Sequence, residues 1–169
     1  LSGLIANGWS VDLYTSSERG GCLSDVEGIK LHEVSYRFTK SRIMNLIRFI
    51  ILQSHYFFIS LRYKKDRDVI FYLNTILPFG AAVGAKLIHA KIIYHVHENP
   101  VRKYFIHKIA LAIMLKYADK ALFVSEYLFN SYFMESGRKV LVTNALAPAF
   151  SSIARSCRPM FEQPFNILM

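Results

Sequence analysis

The sequence predicts an α/β fold built on a mainly parallel sheet with helices on both faces. Three observations carry that expectation. Short β-prone runs alternate with stretches of helical length along most of the chain. Several of these runs are continuously apolar, as strands inside a covered sheet are. The 169 residues are 53% hydrophobic and 20% charged, with 8 Gly and 5 Pro, so one sizeable core is within reach and a disordered or fibrous chain is excluded.

Residues 1–7 read as the last turns of an amphipathic helix that stops at Gly8. A strand follows over 10–15, closed by Ser16 and Ser17 and then by Gly20 and Gly21. Residues 28–34 alternate apolar and polar, a half-buried strand, and 41–63 form a long helix. The run 68–73 is unbroken apolar after Asp68, which predicts a strand covered on both faces. A helix over 78–90, a strand over 91–97, a helix over 102–118, a strand over 120–125, a helix over 126–136 and a strand over 139–143 complete the alternation. Three of these strands open on Lys (Lys91, Lys120 and Lys139) and end on polar residues, so chemistry is expected at their C-terminal ends. From 147 the pattern dissolves into Pro, Ser and Arg, a linker, and a new strand starts at about 165. Both ends therefore read as cuts through longer structure.

The charge balance is 21 basic against 12 acidic residues, a formal +9, which favours an anionic partner. From Lys40 to Arg67 there are seven basic residues and one acidic residue, so that segment alone supplies +6. Its helix carries an Ile-, Leu- and Phe-rich stretch over 43–61, interrupted by Arg48, Gln53, Ser54 and His55. Three readings stand: a buried or groove-lining helix, an interfacial helix resting on a membrane, or a true span, which a mid-helix Arg makes costly. The two cysteines, Cys22 and Cys157, form no CxxC pair, so neither a disulfide framework nor a thiolate zinc site is expected and a reducing cytoplasmic setting is the default.

Glycine-rich phosphate loops, HExxH, GxSxG and cysteine-based metal patterns are all absent from the sequence. Gly80 and Gly84, four apart in a helix, suit close helix packing. Asp12 lies in a strand with no glycine-rich turn before it, which argues against ribose binding. The sharpest local feature is Tyr94-His95-Val96-His97-Glu98-Asn99-Pro100. Alternation puts His95 and His97 on one side of a strand, with Glu98 where the strand ends. Open parallel sheets bind ligands beyond the C-terminal ends of their strands, so His97 and Glu98 face the expected crevice. Two His at i and i+2 lack a third ligand in register, and no metal site is expected. Arg102, Lys103, His107 and Lys108 then open the next helix against its dipole, which suits either a basic face toward an anionic partner or a merely solvated face.

The run Tyr117-Ala118-Asp119-Lys120-Ala121-Leu122-Phe123-Val124-Ser125-Glu126 resembles the "aD-x-apolar-apolar-x-vS" signature of family 4-like glycosyltransferases. Lys139-Val140-Leu141-Val142-Thr143-Asn144-Ala145-Leu146, with Phe150 beyond, resembles that family's passage into its interdomain linker, with Ala145 where Gly is usual. Leu4 to Tyr14 is similar to "L-a-x-x-G-H-x-V-x-apolar", with Trp9 in the place of His. Asp68-Val69-Ile70 and the stretch from Ile93 to Glu98 match two further pieces in the family's order.

The resemblance implies the N-terminal, acceptor-side domain of a GT-B enzyme: Rossmann-like, doubly wound and lacking its first strand. Residues 1–146 would be that domain, 147–164 the linker, and 165–169 the start of a donor-binding domain. Such enzymes move a sugar, with retention of configuration, from a nucleotide-sugar to a lipid-linked or saccharide acceptor, with no bound cofactor. On that resemblance His97 is the catalytic candidate, acting by positioning and hydrogen bonding, and Glu98, Ser125, Asn144 and Asn74 line the cleft. Arg42, Arg48, Arg62, Lys64, Lys65, Arg102 and Lys103 would meet membrane or acceptor phosphate, and the nucleotide-sugar would bind mainly through the domain that follows. The expected place is the cytoplasm, peripherally on the inner face of the membrane. In the doubly wound order a missing first strand lies mid-sheet, so the strands at 10–15 and 68–73 would carry unpaired edges. The chain by itself is expected to be inactive and poorly stable. The alternative is a basic α/β module that binds nucleic acid or anionic membrane without catalysis. Nucleic acid is not expected, because the basic residues crowd one apolar helix and are not interleaved with exposed aromatics.

Overall fold

A computed structural model of the protein describes residues 2–16, 27–99 and 104–143. Among them the chain runs α1 (Ser2–Ala6), β1 (Val11–Ser16), β2 (Ile29–Val34), α2 (Arg42–Arg62), β3 (Ile70–Leu73), α3 (Phe79–Leu87), β4 (Lys91–Val96), α4 (Phe105–Tyr117), β5 (Lys120–Phe123), α5 (Glu126–Ser131) and β6 (Lys139–Leu141). One 3₁₀ turn extends α2 over Tyr63–Lys65, and another precedes β6 over Ser136–Arg138. The strands form two sheets, β1-β2 and β3-β4-β5-β6, and the pairs β1-β2, β4-β5 and β5-β6 are parallel. This is the mainly parallel α/β architecture that the alternation predicts, of the Rossmann-like kind that the resemblance implies. Among the described residues β1 and β3 are each paired on one side only, as expected of these two strands.

The chain divides into two compact units, Leu1–Phe71 with Pro78–Lys91, and Tyr72–Leu77 with Ile92–Met169. In the first, α1 ends as expected at Gly8, whose φ of +80° lets its N–H and that of Trp9 turn back to the carbonyls of Ile5 and Leu4. β1, β2 and the end of α2 are tied by one polar chain. The Asp12 carboxylate accepts from Tyr63 Oη at 2.8 Å and lies 3.2 Å from His32 Nε2, while Tyr14 Oη is 3.0 Å from Tyr63 Oη. Tyr14 also stacks on its register partner His32, with ring centroids 4.5 Å apart. Asp12 is therefore a structural clasp, in keeping with the sequence argument against ribose binding.

The long helix starts where the sequence places it, because Ser41 Oγ accepts from the Met44 N–H and the Asn45 amide ties down Thr39. It packs on α3 at backbone distance. A Cβ on Gly84 would sit 2.7 Å from Ser60 Cβ and 2.8 Å from the Phe57 carbonyl oxygen, and one on Gly80 would run into the Gln53 backbone. Gln53 Oε1 accepts from the Gly80 N–H at 2.9 Å, and Ser60 Oγ reaches the Ala81 carbonyl at 3.2 Å. Both buried polar side chains are thereby satisfied.

The second unit has an apolar core from Ile92, Tyr94 and Val96 of β4, Ala121 and Phe123 of β5, Ala110 and Met114 of α4, and Leu128 and Tyr132. Asp119 of the "aD" run closes the start of β4: its Oδ2 accepts from the Ile92 N–H at 2.7 Å and its own N–H returns to the Ile92 carbonyl. Arg138 binds the Leu115 and Ala118 carbonyls at the end of α4. The lysines that open β5 and β6 have structural work as well, Lys120 on the Gly137 carbonyl and Lys139 on that of Tyr132.

Three expectations need correction. The 41–63 helix is not buried: only Gln53, Ile59 and Ser60 are fully enclosed, because one face alone meets α3. The strand at 68–73 is shorter and not covered on both faces, since Tyr72 is 48% exposed and its ring lies edge-on to His95. The last predicted helix stops at Ser131 because Tyr132 turns extended and buries its ring, donating to the Glu98 carbonyl at 2.8 Å.

Candidate functional site

The site is built from the period of two in adjacent strands. Tyr72 and Asn74 lie two apart at the end of β3, and His95 and His97 lie two apart at the end of β4. The pairs meet: Tyr72 Oη is 2.8 Å from His95 Nδ1, and Asn74 Oδ1 is 3.3 Å from His97 Nε2. The two imidazoles pack with centroids 4.2 Å apart. Burial, and then the neighbouring His97, push the basicity of His95 below that of an ordinary histidine. Its Nε2 is buried without a hydrogen-bond partner among the described residues, whereas His97 is exposed.

Glu98 follows at the strand end. Its carbonyl accepts from Tyr132, whose phenol is pushed up to about 12 by burial and then by the Glu98 charge. The Glu98 Oε2 atom is buried and unpartnered among the described residues. Asn99 Nδ2 donates to Tyr127 Oη at 3.3 Å, and the Tyr127 ring is exposed on the first turn of α5. This edge thus offers imidazole, amide, carboxylate and an exposed aromatic face, groups suited to a polyhydroxylated ligand.

Of the residues singled out in the sequence, Asn74 and His97 are brought into contact, and Glu98 lies next to His97 in the chain. Ser125 is at a strand end as expected but is committed to capping α5, its Oγ accepting from the Leu128 N–H at 3.3 Å. Asn144, Arg102 and Lys103 lie outside the described residues. Tyr72, Asn99, Tyr127 and Tyr132 were not singled out. The i, i+2 spacing of Tyr72 and Asn74, the same as that of the histidines, was the available signal for the first.

A second surface lies on the first unit. At 100° per residue, Ile43, Ile47, Ile50, Ser54 and Phe58 share one face of α2, about a third of a turn round from the face packed on α3. Ile43 is 73% exposed and Phe58 63%. Arg48, His55 and Arg62 run along one border of this stripe and Arg42 lies on the other, with Lys64 and Lys65 just beyond the helix. The helix is also groove-lining, as one sequence reading had it. Arg48, Ile51, Leu52 and His55 and the segment from Glu33 to Arg37 enclose a groove of about 510 Å³. Within it Arg48 Nη1 donates to the Arg37 carbonyl at 2.8 Å. By length and composition this helix could cross a membrane, with Arg48 inside the span, fewer than two turns from its start. Among the described residues no three His, Cys, Asp or Glu side chains converge as a metal site would need.

No protein-family model matches the chain, and no curated protein does. Among solved structures it is similar to MurG from Acinetobacter baumannii, a GT-B glycosyltransferase, with a TM-score of 0.53 and 13% sequence identity. The match covers 94% of this chain and 44% of that one. At that identity the likeness is one of fold: the chain has a GT-B-like, Rossmann-type domain and spans less than half the length of the enzyme it matches.

Proposed function

We propose that this chain is the acceptor-side part of a retaining, family 4-like glycosyltransferase of the hexosyltransferase type, acting in cell-surface polysaccharide or glycolipid synthesis. The observation that carries the reading is the exposed His97, held by Asn74 at the C-terminal edge of a parallel sheet, within a fold shared with MurG. His97 would bind and orient a hydroxyl of the transferred sugar or the acceptor, beside Glu98 and Tyr127. The donor would be a nucleotide-sugar, held mainly by a further domain, and the acceptor a lipid-linked or free saccharide. Orientation by one such hydrogen bond contributes about ten- to a hundredfold in rate.

The test is transfer of label from a panel of nucleotide-sugars into membrane lipids or oligosaccharides, by the protein expressed with its flanking coding sequence. Label should enter one acceptor class, and His97→Ala should slow it about ten- to a hundredfold. Absence of transfer from every donor, or full activity in the variant, would overturn the reading.

The α2 stripe supports peripheral binding to the cytoplasmic face of an anionic membrane as the route to a lipid acceptor. Exposed Ile43, Ile47, Ile50 and Phe58 would enter the interface, with Arg42, Arg48, Arg62, Lys64 and Lys65 at headgroup level. Co-sedimentation should be strong with vesicles containing anionic lipid, weaker in high salt, and reduced at least about tenfold by Ile47→Glu with Ile50→Glu. Equal binding to zwitterionic vesicles, or no effect of the double substitution, would contradict it.

A further inference from the structure

We infer that Asn74 is a positioning residue that fixes the tautomer of His97, so that neutral His97 carries its proton on Nε2 and offers Nδ1 as the acceptor for a ligand hydroxyl. The amide oxygen of Asn74 can only accept, and it lies 3.3 Å from His97 Nε2, so that nitrogen donates. The remaining nitrogen, Nδ1, keeps its lone pair and has no partner among the described residues. The neighbouring ring is held separately. His95 is engaged through its own Nδ1 by Tyr72 Oη at 2.8 Å, and its ring packs against His97 at a tilt of 50°. Asn74 and His97 stand at the ends of adjacent strands, where the backbone sets their spacing and little adjustment is left to the side chains.

The consequence is a chemical preference. A lone pair accepts a hydrogen bond from an alcohol and is repelled by an unprotonated phosphate oxygen, which has no hydrogen to give. In its neutral form His97 therefore selects a hydroxyl, the chemistry of a sugar, over a phosphate oxygen. Only the identity of the ligand rests on the glycosyltransferase reading; the tautomer is a property of the free chain.

Long-range ¹H–¹⁵N correlation spectra of the ¹⁵N-labelled chain at about pH 8, where an ordinary imidazole is neutral, separate the two tautomers, with His97→Ala assigning the signals. The Nε2–H form should dominate in the wild type and in Asn74→Asp, which keeps an acceptor, and give way to a mixture in Asn74→Ala. A dominant Nδ1–H form in the wild type, or an unchanged ratio in Asn74→Ala, overturns the positioning role. Titration with glucose should move the Nδ1 signal while sulfate, a tetrahedral anion with no hydrogen to give at this pH, leaves it in place. A shift with sulfate, or with neither, overturns the hydroxyl preference. Neither measurement needs sugar transfer, so their failure is distinct from failure of the proposed reaction.

Discussion

Asp12 illustrates how one residue's environment decides its role. Burial works to raise its carboxyl, but hydrogen bonds from Tyr63 and His32, together with nearby Lys30, outweigh burial and leave it below the ordinary value of 3.8. A lowered carboxyl stabilises the native state above the unfolded value, and that contribution is lost as pH falls through the folded one. Asp12→Asn should therefore cost about 1 kcal/mol near neutrality and remove part of the acid sensitivity below about pH 4. Urea midpoints across pH would show the two proteins converging in acid; parallel curves would contradict the clasp. The sequence placed Asp12 in a strand but could not reveal the clasp, because Tyr63 lies 51 residues away. His97 was more legible. Alternation alone put it beside His95 and at a strand end, whereas the cross-strand register that delivers Tyr72 and Asn74 is not written in any local pattern.

At the scale of elements, α2 was legible in length and start, since Ser41 and the apolar periodicity mark it clearly. Its surroundings were not, because hydrophobicity says that a face avoids water and not what covers it. The helix has two apolar faces, one on α3 and one exposed. The contact with α3 depends on glycine: Gly84→Ala should destabilise by about 1–3 kcal/mol, because Ser60 and the Phe57 backbone leave no room for a methyl group. Gly3→Ala, with nothing within 4 Å, should be neutral or slightly stabilising. Thermal melts of the two variants measure the contrast, and equal melting temperatures would contradict close packing. The end of α3 offers an opposite case. His89 takes a φ of 60°, which favours glycine, so His89→Gly should raise stability by roughly 0.5–1 kcal/mol. A lower melting temperature would show that its side chain matters more than its backbone.

For the molecule as a whole, strand–helix alternation was enough to reach the fold class, and the solved structure it resembles agrees at the level of fold. Among the described residues β1 and β3 are each paired on one side only. Those two edges predict concentration-dependent self-association at micromolar levels, which sedimentation velocity would detect. A strictly monomeric chain would contradict it. Charge was informative in kind and in place: six of the nine surplus positive charges come from the segment around α2, while the polar groups at the strand ends gather around His97.

The most direct measurement is a map of amide and side-chain chemical shifts as the chain is titrated with saccharides and sugar phosphates. The account predicts shifts at Asn74, His97, Glu98, Asn99 and Tyr127, with the strand starts at Lys91, Lys120 and Lys139 unmoved. Shifts confined to those lysines, or none with any sugar, would contradict it.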